Sequence, residues 1–155
     1  MRRLALCCAV VLAGCSKSKD QPPEDAIADT TAAMPAPAPI QLADVAGKWA
    51  VRVMPETGDT TLLSYELVTT GDTAGWAINF PKRSPIPIRV LAVDGDSIVT
   101  EAGPFESMLR KGVQVTSGTV FRLQDGKLMG AITARYQTSG PDSVAHLRLE
   151  GTRAP

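Results

Sequence analysis

Few side chains in this sequence could do covalent or acid–base chemistry. There are three cysteines, Cys7, Cys8 and Cys15, and one histidine, His146. A single histidine rules out a His-rich metal site, and a Ser-His-Asp arrangement would have to use His146 as its base. His146 lies in Val144-Ala145-His146-Leu147-Arg148-Leu149, where it alternates with apolar residues as on the solvent face of a strand. Glu101 and Glu106 flank Gly103-Pro104. Two carboxylates several ångströms apart can run glycoside hydrolysis, but a pair beside a bend reads first as a solvated loop. Asp94-Gly95-Asp96 supplies two carboxylates where calcium takes about six to eight oxygens, so it reads as turn chemistry. Gly-x-Ser-x-Gly, the P-loop and GxGxxG are all absent from the sequence. The expectation is a chain that is not an enzyme and uses no metal and no cofactor.

The cysteines divide by position. Arg2-Arg3 precede an apolar run, residues 4–13, that holds Cys7 and Cys8 and ends in Leu12-Ala13-Gly14-Cys15. A basic start followed by a short apolar run is the pattern of a secretory signal. A run of about ten residues makes a helix of roughly 15 Å, too short for a hydrocarbon core of about 30 Å. Leu12-Ala13-Gly14-Cys15 resembles the lipobox of bacterial lipoproteins. That resemblance implies a signal peptide over residues 1–14 and a diacylglyceride on the Cys15 thiol. It also implies cleavage before Cys15, acylation of the freed amine, and a lipid bilayer as partner through the acyl chains. Each buried methylene contributes roughly 0.8 kcal/mol, so two or more chains anchor stably. Ser16, in place of Asp, implies sorting to the outer rather than the inner membrane of a bacterial envelope, with the domain in the periplasm or at the surface. With Cys7 and Cys8 removed and Cys15 lipidated, no cysteine is left for a disulfide, a zinc site or a nucleophile.

Residues 15–41 read as a tether. Gln21-Pro22-Pro23 and Met34-Pro35-Ala36-Pro37-Ala38-Pro39 favour extended polyproline II, a spacer of about 3.1 Å per residue. Such a segment cannot bury enough surface to offset its ordering entropy. All of Trp49, Tyr65, Trp76, Phe80, Phe105, Phe121 and Tyr136 lie beyond it, which places one folded domain at residues 42–155. Charge is balanced, 16 Lys plus Arg against 16 Asp plus Glu. The basic face that nucleic-acid binding needs is missing, so no nucleic-acid partner is expected.

Period two dominates the domain. Trp49, Val51 and Val53 alternate with Lys48, Ala50 and Arg52; Leu63, Tyr65 and Leu67 with Ser64, Glu66 and Val68; Trp76, Ile78 and Phe80 with Ala77 and Asn79. Ile86, Ile88, Val90 and Ala92 continue the pattern, and further runs cover residues 97–101, 113–123, 127–137 and 143–150. Gly-Asp, Asp-Gly and Gly-Pro pairs separate them, as between hairpin strands. The predicted fold is all-β: one small antiparallel barrel, a meander of eight or nine strands, with a β-sandwich as the alternative. Closure is favoured because it removes edge strands. Residues 103–112 break the rhythm. Phe105, Met108 and Leu109 have helical spacing, while Ser107, Leu109 and Lys111 alternate as in a ninth strand, which is the favoured reading.

Gly47-Lys48-Trp49 resembles the Gly-x-Trp opening of the lipocalin-like (calycin) barrels. That resemblance implies that Trp49 closes one end of a barrel and that an arginine of the last strand, Arg148 or Arg153, packs over it. Trp49, Tyr65, Trp76, Phe80, Phe121 and Tyr136 either line a ligand pocket or fill the core. Lys82-Arg83, between Pro81 and Pro85, together with Glu106 and Arg110, form a surface contact. The expected function is a membrane-anchored envelope lipoprotein whose barrel binds a small apolar ligand or an envelope partner. The alternative is a structural or inhibitory interaction module with a filled core, and a hydrolase ranks last.

Overall fold

Alternation of apolar and polar residues works only if one face of each strand turns away from water. The computed structural model describes residues 39–155; the leader, Cys15 and nearly all of the tether lie outside the described residues. A short helix α1 (Leu42–Val45) precedes β1 (Gly47–Pro55), β2 (Leu63–Thr69), β3 (Ala77–Asn79), β4 (Ile86–Asp94), β5 (Ser97–Glu106), β6 (Gln114–Gln124), β7 (Lys127–Tyr136) and β8 (Val144–Arg153). Each strand pairs antiparallel with the next, and β8 returns to β1, so the sheet closes into an eight-stranded barrel. Among the described residues there is no sandwich and no ninth strand.

Inward residues form one core. Trp49, Val51 and Val53 of β1 are buried while Lys48, Ala50 and Arg52 face out. Leu67, Ile78, Ile88, Ile98, Phe121 and Leu149 join them from other strands. On β4 the alternation fails after Val90. The register with β5 shifts between Val90 and Ala92, which sets Ala92 opposite Val99 and Val93 opposite the buried Ile98. The bulge takes Ala92 out of the inward row, and Leu91, Ala92 and Val93 are all exposed.

Residues 103–112 form neither a helix nor a separate strand. Residues 103–106 prolong β5 past an irregularity between Ala102 and Phe105. Beyond them the hydroxyl of Ser107 accepts the amides of Leu109 (3.1 Å) and Arg110 (3.0 Å), and Glu106 Oε1 accepts that of Gly112 (3.2 Å). These local bonds satisfy a tight loop and remove the need for a ladder.

The lower end is sealed. Val45 O accepts the Trp49 indole N–H at 2.8 Å and the Thr69 hydroxyl. Arg153 donates to Asp44 O (2.7 Å) and Ala46 O (2.8 Å), with its guanidinium carbon 4.5 Å from the centre of the Trp49 ring. The carbonyls that a helix C-terminus leaves open are thereby satisfied by side chains. Arg148 is elsewhere, paired with Asp59. The domain also starts before Leu42: Ile40 is buried and its amide donates to Gly95 O at 2.8 Å.

Candidate functional site

The aromatic set divides between the two halves of the barrel. Trp49 and Trp76 are fully packed, 0% and 2% exposed, with the Trp76 indole N–H donating to Asp72 O at 2.9 Å. They belong to the core of the lower half. Tyr65, Phe80, Phe121 and Tyr136 instead surround a cavity of about 70 Å³ in the upper half. Its remaining wall is apolar, including Ile88, Ala102, Ile132 and Ala134, apart from Thr100, Ser107, Ser117 and Thr119. Thr100 donates to Thr119 O at 3.3 Å. Burial pushes the Tyr65 phenol well above its ordinary range, so it stays neutral. A space this small holds a thin chain rather than a ring, since benzene occupies a cavity of about 150 Å³. Anything longer requires lining side chains to turn.

The loop of residues 107–113 lies over the upper opening, and Ser107, Met108 and Leu109 line the cavity. Two arginines fasten it. Arg83 donates to Glu106 O at 3.0 Å and pairs with its carboxylate at 3.9 Å. Arg110 donates to Asp142 O at 2.6 Å, with its guanidinium carbon 4.0 Å from the centre of the Tyr136 ring, a cation–π geometry. The structure thus brings the predicted contact set Lys82, Arg83, Glu106 and Arg110 to the upper end, where β3–β4 and β5–β6 are joined. Among the described residues Lys82 and Lys111 have no ion-pair partner. Leu62, Met108, Leu109 and Val144 are exposed there. Residues 103–112 read on the sequence as a surface contact segment, but Ser107, Met108 and Leu109 were not pocket candidates, because that role follows from where the loop folds and not from their spacing.

The other sequence candidates stay apart. Glu101 pairs with Arg89 on the outer face, whereas Glu106 serves Arg83, so the two glutamates meet different arginines. Asp96 accepts from Ser97 Oγ at 2.7 Å and pairs with Arg122 at 3.2 Å. His146 is exposed opposite Thr133. Among the described residues no group of His, Cys, Asp and Glu could hold a metal ion, and no helix is long and apolar enough to cross a membrane.

Among the described residues, three carboxylates sit below their ordinary range. Glu66 is lowered chiefly by the Asn79 amide, Asp96 by the Ser97 hydroxyl, and Glu150 by the Lys127 ammonium. Folded pKa values below the unfolded ones contribute stability that is present above the unfolded pKa and lost as pH falls through the folded pKa. Thermal melts should therefore show a plateau above about pH 5 and a decline below the usual carboxylate range of about 4. Glu150→Gln should flatten that decline, and an unchanged acid limb would refute its share.

Neither a protein-family model, nor a curated protein, nor a solved structure matches the chain, which leaves the barrel's own geometry to decide between readings.

Proposed function

We propose that this chain is a lipid-anchored envelope protein, non-enzymatic, whose barrel holds a small apolar ligand. The observation that carries the reading is the cavity beneath Ser107, Met108 and Leu109, walled by Tyr65, Phe80, Phe121 and Tyr136. Apolar walls with a few placed hydroxyls suit a ligand that is mostly hydrocarbon. The sealed lower end, with Arg153 over Trp49, supports the lipocalin-like likeness read from Gly47-Lys48-Trp49. The lipobox Leu12-Ala13-Gly14-Cys15 supports anchoring at the outer membrane. Incorporation of labelled palmitate, lost in Cys15→Ser, tests the anchor.

The ligand reading is tested with full-length protein and 10-bromo-1-decanol, whose bromine quenches tryptophan on contact. Trp76 packs 6.2 Å from Phe121, ring centre to ring centre, and Phe121 lines the cavity. The expected result is saturable quenching that falls at least tenfold in affinity in Ala134→Leu, where the added carbons occupy the void. Absence of quenching, or equal affinity in Ala134→Leu, would overturn the reading. The second reading, an interaction module acting through its upper rim, draws on the exposed Leu62, Met108, Leu109 and Val144. Exposed apolar side chains at one end of a barrel suit a contact surface.

A further inference from the structure

The barrel wall is not hydrogen-bonded evenly. β2 pairs with β1 along its whole length, from Leu63 to Thr69 as far as Val53. It pairs with β3 only at Glu66, Leu67 and Val68, and β3 pairs with β4 only at Ala77 and Ile78. Leu63, Ser64 and Tyr65 therefore have a ladder on one side alone. The next rungs would fall at Phe80 and Pro81, but the chain turns away there, and Pro81 has no N–H to donate.

Side chains close this gap. The Tyr65 and Phe80 rings meet edge to face, 5.4 Å between centres and 67° between planes. Both residues line the internal cavity. Both also border a groove of about 560 Å³ on the outer surface, shared with Arg52, Ser64, Glu66 and Asn79. Tyr65 and Phe80 thus stand between the cavity and the groove. Elsewhere an opening must break several ladder hydrogen bonds together, each contributing about 1 kcal/mol. Here no ladder bond stands in the way, and side-chain rotation suffices.

The groove has its own chemistry. Its charges are matched: Glu66 with Lys48, and Glu150 with Arg52 and Lys127. Asn79 donates through Nδ2 to Glu66 Oε1 at 3.0 Å, while its Oδ1 is screened from solvent and has no hydrogen-bond partner among the described residues. A screened acceptor calls for a donor, and a charge-matched groove favours a neutral one.

We infer that the Tyr65–Phe80 seam is a side portal to the cavity for a slender, unbranched amphiphile, whose neutral hydroxyl head donates to Asn79 Oδ1 once the seam has opened. The inference depends on the apolar-ligand reading above. The test is stopped-flow quenching of full-length protein by 10-bromo-1-decanol. Tyr65→Leu and Phe80→Leu should speed association by about tenfold. A wider entrance speeds entry, whereas a merely enlarged cavity changes dissociation and leaves the association rate as it was. Either variant suffices if the other fails to fold. Arg110→Gln and Lys111→Gln, in the upper loop but outside the cavity lining, should leave both rates within about twofold. If the loop variants accelerate exchange and the seam variants do not, the portal is wrong and the pocket stands. If the wild type shows no quenching, the pocket falls and the portal with it. For the head, 10-bromo-1-decanol should bind at least tenfold tighter than 10-bromodecanoate, and Asn79→Leu should lose its affinity for the alcohol. Equal affinity for alcohol and acid, or an unaffected Asn79→Leu, would overturn the head assignment.

Discussion

Replacing Trp49 by alanine should cost about 3–5 kcal/mol of folding stability, the range for truncating a buried aromatic. That is a large share of the roughly 5–15 kcal/mol by which domains are stable, and it should lower the melting temperature by roughly 10–25 °C. Trp49 is 0% exposed, and its indole N–H donates to Val45 O. Its ring is the surface on which the Arg153 guanidinium rests while bonding Asp44 O and Ala46 O. Alanine leaves a cavity and strips Arg153 of its platform. Trp49→Phe keeps a ring but loses the donor, and should cost less, about 1–3 kcal/mol. Urea unfolding followed by circular dichroism measures both. A loss below 1 kcal/mol for the alanine variant would mean that α1 and Arg153 seal the end without it.

Gly103→Ala should be the most damaging glycine substitution tried at the upper end, at about 2–4 kcal/mol from backbone strain and overpacking together. Gly103 has φ 114°, which residues with a Cβ rarely adopt. An added Cβ would lie 2.7 Å from Val115 O and 3.1 Å from Thr116 Cα. Both neighbours are backbone of β6, so relief requires parting β5 from β6. Gly112 is the control. It has φ 77° with nothing within 4 Å of the added atom, so Gly112→Ala should cost only the left-handed penalty of about 1 kcal/mol. Equal melting temperatures for the two variants would show that the β5–β6 contact yields at no cost.

The strands were legible because one inward face imposes period two on residues such as Trp49, Val51 and Val53, which each strand carries alone. What was not legible depends on pairing. Arg148 and Arg153 look alike in sequence, and only the register that sets Trp49 against Arg153 chooses between them. The bulge after Val90 belongs to the fit of β4 on β5, so Ala92 could not be assigned a face from its neighbours. Residues 107–113 were ambiguous because one hydroxyl, that of Ser107, decides the loop, and hydrophobic spacing does not register hydroxyls. Of the candidate site, the aromatic residues were visible but not their division between core and cavity. That division follows from which end Trp49 and Arg153 seal. The gap between β2 and β3 was invisible, since Tyr65 and Phe80 have the pattern of ordinary inward residues.

The bond from the Ile40 amide to Gly95 O has a mechanical consequence. Tension on the chain ahead of Pro39 is delivered to the β4–β5 turn and to α1, at the pole farthest from the Ser107 loop. That load path runs through the lower seal and misses the upper chamber.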